Sequence, residues 1–298
     1  MFDKRNADLY NNIEIKLSEY FSKEVVIHSS SMVGGGCINN ASKLVTSLGT
    51  FFLKWNSDCP GDMFIREAQG LREMKKASGR AVIVPEVFAH SAEEDHPGFI
   101  VLEFLDSGYL ASGGDEALGR GLAEMHKFTN ERFGFYDDNY CGTTPQDNTW
   151  KTCWTEFFRE NRLRYLLDLI QTRRSLPARE RQIYDKLLDR LPRLLPEEST
   201  PVLIHGDLWS GNYMITDKGP ALIDPAAYYA DREMEMSIMT LFGGFSGRFF
   251  DAYNEVNPLP SGWRERNKLY QLYHILNHYH LFGGGYGSQA LHVAKRFI

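Results

Sequence analysis

The stretch of this sequence that most restricts its fold is Val202-Leu203-Ile204-His205-Gly206-Asp207-Leu208-Trp209-Ser210-Gly211-Asn212, followed by Ala221-Leu222-Ile223-Asp224. Three apolar residues enter a tight turn that carries an aspartate. An asparagine follows, and a second short apolar run ends in another aspartate. Read locally this is strand, loop, strand, with two carboxylates and a carboxamide gathered at the loop ends. Such a set suits phosphoryl transfer. Asp207 would orient an attacking hydroxyl, while Asn212 and Asp224 would offer magnesium one neutral and one anionic oxygen. The plainer alternative is a capped turn beside an ordinary loop. It leaves the joint occurrence of spacing, flanking strands and second aspartate unexplained. His205 reads as support for the loop, not as a reacting group.

A site of this kind needs surroundings, and the chain is long enough to supply them. Its 298 residues exceed the usual size of a single core, so one large domain or two lobes is expected. After a helix over 6–22, short apolar runs at 25–27, 43–46, 51–55, 85–88 and 99–105 read as strands, with 82–84 a short connection. A helix over 61–77 interrupts them. Beyond Asp106-Ser107-Gly108 and Ser112-Gly113-Gly114 helices dominate, near 114–128, 150–172, 177–194, 231–242, 246–255, 262–281 and 286–297. Residues 133–149 read as a long loop. The expected architecture is α+β and two-lobed: a β-rich lobe over 1–105 with an antiparallel sheet, a mainly helical lobe over 106–298, and a cleft between them.

Lys54 ends the apolar strand Phe51-Phe52-Leu53, and a buried strand that presents an ammonium needs a partner. On a helical wheel, Met63, Phe64, Leu71 and Met74 form one arc with Glu67 inside it. A Lys54–Glu67 ion pair, with Lys54 also touching nucleotide phosphates, resolves both unpaired charges. Glu73 is the competing carboxylate, and a solvated strand end is the plainer alternative. Gly34-Gly35-Gly36 with Asn39 is a glycine-rich turn placed just before this strand. There, backbone N–H groups can approach phosphates closely, although most glycine triplets are only turns. Glu103-Phe104-Leu105, at the lobe boundary, offers backbone groups to an adenine edge. Cys37 lies in the glycine turn and is a candidate redox-sensitive thiol or an inert small residue.

Other candidates weigh less. His274, His278 and His280 suggest a metal, but no H-E-x-x-H and no completing carboxylate accompany them, so packing or substrate contact is the better reading. Asp231, Glu233 and Glu235 sit at a helix start, where acids complement the dipole. Trp209, two residues after the proposed base, offers an indole face to a sugar or an amine-bearing chain. The net charge of −6 gives no reason to expect nucleic acid or an anionic membrane as partner. The four cysteines include no C-x-x-C pair, the N-terminus lacks an apolar signal region, and no run approaches a membrane span. A cytoplasmic protein, monomeric or weakly dimeric, is the expectation.

Together, Lys54, Glu67, Asp207, Asn212 and Asp224 resemble the protein-kinase-like fold, with departures. The loop is HGDLWSGN, Asp224 is followed by Pro225-Ala226, and nothing resembles an activation loop. These features resemble the small-molecule branch that includes aminoglycoside phosphotransferases and choline kinases. Within it, LIHGDLWSGN, IDPAAYYADREMEM, GGGCIN at 34–39, residues 241–245 and 253–256, and 270–278 look like the fructosamine kinase (ketosamine 3-kinase) family. The resemblance implies ATP- and Mg²⁺-dependent phosphorylation of the 3-hydroxyl of ketoamines, free or on glycated lysines of proteins, with release of the amine afterwards. It implies Asp207 as base, Asn212 and Asp224 on magnesium, residues 103–105 at the adenine, and Trp209 and His278 as substrate contacts. The alternatives are a kinase of another small alcohol, such as an aminoglycoside or choline, or a non-catalytic nucleotide-binding protein of the same fold.

Overall fold

The computed structural model describes residues 7–34, 39–92, 94–95, 97–108 and 113–298. In the first third, helix α1 (Ala7–Phe21) precedes strands β1 (Ile27–Met32), β2 (Asn40–Thr46) and β3 (Gly49–Asn56). Helix α2 (Met63–Ser78) then leads to β4 (Val87–His90) and β5 (Gly98–Glu103). The strands form one antiparallel sheet in the order β1-β2-β3-β5-β4. Alternation along each strand sends side chains to opposite faces. Phe51 and Leu53 of β3, with Phe99 and Val101 of β5, meet Leu9, Ile13 and Leu17 of α1. Ile100 and Leu102 of β5 join Phe64, Ala68, Leu71 and Met74 of α2 on the other side. Lys54 follows Leu53 and therefore points to the α2 side.

The remaining chain is mainly helical. Helix α3 (Gly114–Met125) is followed by the short hairpin β6 (Asn139–Cys141) and β7 (Thr144–Gln146). Next come α4 (Trp154–Phe157), a π-helical stretch (Phe158–Arg164), α5 (Tyr165–Arg174) and α6 (Ala178–Leu194). Strands β8 (Val202–Ile204), β9 (Tyr213–Thr216), β10 (Gly219–Leu222) and β11 (Tyr228–Ala230) lead into α7 (Arg232–Leu241), α8 (Gly247–Val256), α9 (Trp263–Phe282) and α10 (Tyr286–Arg296). Strand β8 pairs with β11, and β9 with β10. The core beneath α2 continues into this half through Leu118, Leu122, Leu203 and Tyr228. No helix among the described residues is long and apolar enough to cross a membrane.

Several local readings change. Residues 133–149 contain the β6–β7 hairpin, whose strands Asn-Tyr-Cys and Thr-Pro-Gln present no apolar run. Residues 82–84 are the connection expected, and Ile83 within it bridges to Ala221, donating its N–H to the Pro220 carbonyl (2.8 Å) and accepting from Leu222 (2.9 Å). The strand expected over 99–105 stops at Glu103. The helix expected over 150–172 starts at Trp154 and widens into the π-helical stretch.

Candidate active site

Strand β8, fully buried, delivers the loop that carries Asp207. The turn requires Gly206, whose φ is +80°; a Cβ there would lie 2.2 Å from the Ala226 carbonyl oxygen. That close approach lays residues 205–207 against 225–227, and the Ala226 N–H donates to the His205 carbonyl (2.9 Å). Beneath the turn, Glu235 of α7 is 0% exposed and accepts the N–H groups of His205 (2.5 Å) and Gly206 (3.1 Å). His205 is held in one tautomer. Its Nδ1 accepts the Asp207 N–H (3.3 Å), so Nε2 carries the proton and donates to the Ile223 carbonyl (2.7 Å). Burial lowers the His205 pKa and keeps the ring neutral.

Asp207 sits in the floor of the cleft. Burial, then the negative charges of Glu235 and Asp224, push its pKa up to about 8, against the pull of the Asn212 amide. Asn212 Nδ2 donates to the Asp207 carbonyl (2.8 Å) and to Oδ2 (3.2 Å). With its nitrogen committed in this way, Asn212 leaves Oδ1 as the atom it could offer a cation. Asp224 stands at φ +55°, in the left-handed region that non-glycine residues avoid. Its carboxylate reaches Lys54 Nζ (3.1 Å) and is 39% exposed. One amide oxygen and one accessible carboxylate are the hard-donor chemistry that a magnesium ion takes.

Lys54 Nζ also donates to both oxygens of Glu67, at 3.1 and 2.9 Å, and both side chains are about nine-tenths buried. Burial alone would lower the Lys54 pKa, but the charges of Glu67 and Asp224 outweigh it and hold the ammonium well above its usual value. Glu67 is therefore the lysine's partner. The competing Glu73 faces the other way and accepts from the hydroxyls of Tyr229 (2.8 Å) and Tyr136 (3.2 Å) and from Lys76 (2.7 Å).

Gly34, Asn39, Lys54, Glu67, Glu103, Phe104, Leu105, Asp207, Trp209, Asn212 and Asp224 all line one cleft of 550 Å³. Asn56 Nδ2 donates to Asn39 Oδ1 (2.9 Å) across the mouth of the β2–β3 ladder. Gly35, Gly36 and Cys37 lie outside the described residues. Trp209 is 38% exposed, and its indole covers Gly211, where a Cβ would meet the ring at 2.2 Å. The W-S-G sequence is thus a packed unit beside Asp207. His278 is placed elsewhere, on α9 among Phe242, Tyr286 and Phe282, and donates from Nδ1 to the His274 carbonyl (2.8 Å).

Sequence reasoning missed three contributors. Glu235 was grouped with Asp231 and Glu233 as a dipole-compensating acid. Only Asp231 behaves so, capping α7 by accepting the Glu233 N–H (2.8 Å), while Glu233 pairs with Arg266 (2.6 Å). Arg66 and Tyr140 also line the cleft and are joined through Asp62, which accepts from Tyr140 Oη (2.7 Å) and Arg66 Nε (2.9 Å). The depth of Glu235 within its helix, one turn past the cap, was its only signal.

A sheet lysine paired with a glutamate of the adjoining helix, facing an Asp–Asn–Asp loop system across a cleft, defines a two-lobed protein-kinase-like phosphotransferase. A solved aminoglycoside phosphotransferase in complex with AMP-PNP and hygromycin B shares the fold, with a TM-score of 0.62 at 16% identity over 96% of this chain and 97% of the other. The fructosamine kinase family model matches residues 9–298, and the chain belongs to that family. It is 41% identical over 283 residues to a chloroplastic protein-ribulosamine 3-kinase of Oryza sativa subsp. indica, covering 93% of this chain and 80% of the relative. The crystal structure of a putative fructosamine-3-kinase from Haemophilus somnus superposes with a TM-score of 0.85 at 26% identity, covering 97% of this chain and 99% of the other.

Proposed function

We propose that this kinase transfers the γ-phosphoryl group of ATP to the 3-hydroxyl of ketoamines, the sugar adducts of amines that include glycated lysines on proteins. The phosphorylated adduct then decomposes and returns the amine, which makes the reaction a repair or deglycation step. The observation that carries this reading is the placement of Trp209 beside Asp207 in the cleft that also holds the Lys54–Glu67–Asp224 array. A sugar stacked on the indole would present its hydroxyls to the carboxylate.

In this reading residues 1–105 bind the nucleotide and residues 106–298 carry the catalytic loop and the acceptor. Gly34 and Asn39 line the part of the cleft that would take the phosphates, and Lys54 neutralises part of their charge. The backbone of residues 103–105 meets the adenine. Asn212 Oδ1 and the Asp224 carboxylate would hold Mg²⁺, which when bound offsets the charge on the phosphates. Asp207 accepts the hydrogen bond of the sugar hydroxyl, aligns its oxygen with the γ-phosphorus and takes up the proton as the bond forms. The raised pKa of Asp207 suits that last task, because a stronger base takes the proton more readily.

The test is ATP consumption with ribulosamine, erythrulosamine and fructosamine adducts of lysine, run beside aminoglycosides and choline. Turnover confined to the ketoamines is expected. Turnover with an aminoglycoside or choline in their place would refute the substrate assignment, and nucleotide binding with no transfer to any acceptor would refute catalysis.

A further inference from the structure

Behind the cleft lies a charge that this reaction scheme does not use. Arg162, in the π-helical stretch, is 0% exposed, and no carboxylate forms an ion pair with it among the described residues. Its guanidinium lies 3.9 Å from the ring centre of Tyr228 and 4.6 Å from that of Phe157. It donates to the Asp147 carbonyl (2.7 Å), to the Asn161 carbonyl (3.0 Å) and to Asn148 Oδ1 (2.7 Å). A buried cation without a counter-charge is among the costliest groups a core can hold, so its retention asks for a reason.

Direction supplies one. A guanidinium has donors only. It therefore compels Asn148 to turn its oxygen inward, and the Asn148 NH₂ is left to donate to Asn139 Oδ1 (2.8 Å). Asn139 Oδ1 also accepts from Gln146 Nε2 (2.8 Å), which commits that oxygen twice. The Asn139 NH₂ then donates to the Ala227 carbonyl (2.8 Å). Asn139, Gln146 and Asn148 are all at most 5% exposed, so water offers them little alternative. The links Arg162–Asn148–Asn139–Ala227 all point the same way, towards the segment that follows Asp224, while the Asn148 NH₂ also donates to the Asp137 carbonyl (3.0 Å) and Gln146 joins at Asn139. Bonds aligned in this manner polarise one another. The segment they reach is the one that abuts Gly206 and is bonded to His205.

We propose that Arg162 is a positioning residue: through Asn148 and Asn139 it fixes residues 225–227 and so holds Asp224 in its left-handed conformation beside Asp207. A disfavoured backbone conformation persists only where its surroundings over-determine it. The amide relay fixes one side of this segment, and the His205 carbonyl fixes the other. The consequence for catalysis rests on the metal role given to Asp224 above.

The test uses the full-length chain with Asn148→Asp. The new carboxylate still accepts from Arg162, and indeed gives it a counter-charge, but it has no hydrogen to donate to Asn139. A purely structural role for Arg162 predicts a fold at least as stable as wild type and an unchanged site. The relay predicts a retained melting temperature with faster hydrogen exchange at the amides of residues 226–229, measured on the protein alone. It also predicts that the Mg²⁺ concentration for half-maximal binding of a non-hydrolysable ATP analogue rises about 10- to 100-fold. Unchanged exchange in the folded variant overturns the proposal. Should Asn148→Asp fail to fold, Asn139→Asp breaks only the last link and takes the same readouts, with unchanged exchange again overturning the relay. Faster exchange with unchanged Mg²⁺ dependence supports the relay and counts instead against the metal role of Asp224.

Discussion

The two faces of the five-stranded sheet are built from the same strands, yet they have separate consequences. On one face Phe51, Leu53, Phe99 and Val101 meet Leu9, Ile13 and Leu17 of α1 in a small core of their own. On the other, Ile100 and Leu102 meet α2, and that core runs without interruption into the helical half. Lys54 projects to this second face. Its partner Glu67 comes from α2, and Asp224 approaches from the far side of the cleft. The α1 face packs the sheet, whereas the α2 face packs the sheet and also carries the Lys54–Glu67 pair. The difference follows from strand alternation: one step along β3, from Leu53 to Lys54, separates a pure packing position from a functional one.

The strongest way to sharpen this comparison is to strike the floor of the cleft. Asp207→Asn should reduce phosphoryl transfer by roughly 10²- to 10⁴-fold, as loss of a general base does. Stability should move the other way. A carboxyl whose folded pKa is raised to about 8 binds its proton more tightly in the folded than in the unfolded state. Stability from this group is full below its unfolded pKa and is lost as pH rises towards 8. The asparagine variant should therefore gain on wild type in melting temperature as pH goes from 5 to 8. A constant difference would contradict the raised pKa. In wild type, kcat/KM should climb with pH towards a plateau above about 8.

Ile13→Ala strikes the α1 face. Ile13 is 0% exposed, and the truncation should cost about 2–5 kcal/mol in urea unfolding. At temperatures where the variant stays folded, its KM for ATP should match wild type. A raised KM would show that the two faces are coupled through the strands and would break the comparison.

Glu73→Gln strikes the α2 face away from the cleft and should have the smallest effect. Burial would raise the Glu73 pKa, but hydrogen bonds from Lys76 and Tyr229 outweigh it and hold the carboxylate ionised. Weakening that cluster should cost about 1 kcal/mol. Because α2 also carries Glu67, a modest fall in kcat should accompany the loss, which Ile13→Ala would lack. Equal kcat in the two variants would remove the distinction.

Much of the site is legible in the sequence. Apolar runs of fixed period announce buried strands, and Asp207, Asn212 and Asp224 stand at the ends of such runs. Glu67 was legible because a carboxylate on an apolar helix arc needs a partner, and Lys54 was the ammonium in want of one. The β6–β7 hairpin is not legible, since Asn-Tyr-Cys and Thr-Pro-Gln, unlike the equally short Val-Leu-Ile of β8, present no apolar run. Residues 103–105 were assigned to the strand although it ends at Glu103, because an apolar run does not announce where pairing stops. His278 looked like a substrate contact by motif, yet the structure packs it among aromatic side chains away from the cleft.

What the sequence determined by itself was local: where strands and helices form, which face of each is apolar, and which charged residues sit where burial demands a partner. Periodicity and desolvation act over a few residues and leave their mark in the order of amino acids. Tertiary structure decided which distant groups meet. Glu235 takes two N–H groups of the turn before Asp207 from 29 and 30 residues away, and Arg162 starts a chain of amide hydrogen bonds that ends at Ala227. A hydrogen bond depends on the position and direction of two atoms brought together by the whole fold, and no spacing along the chain records that.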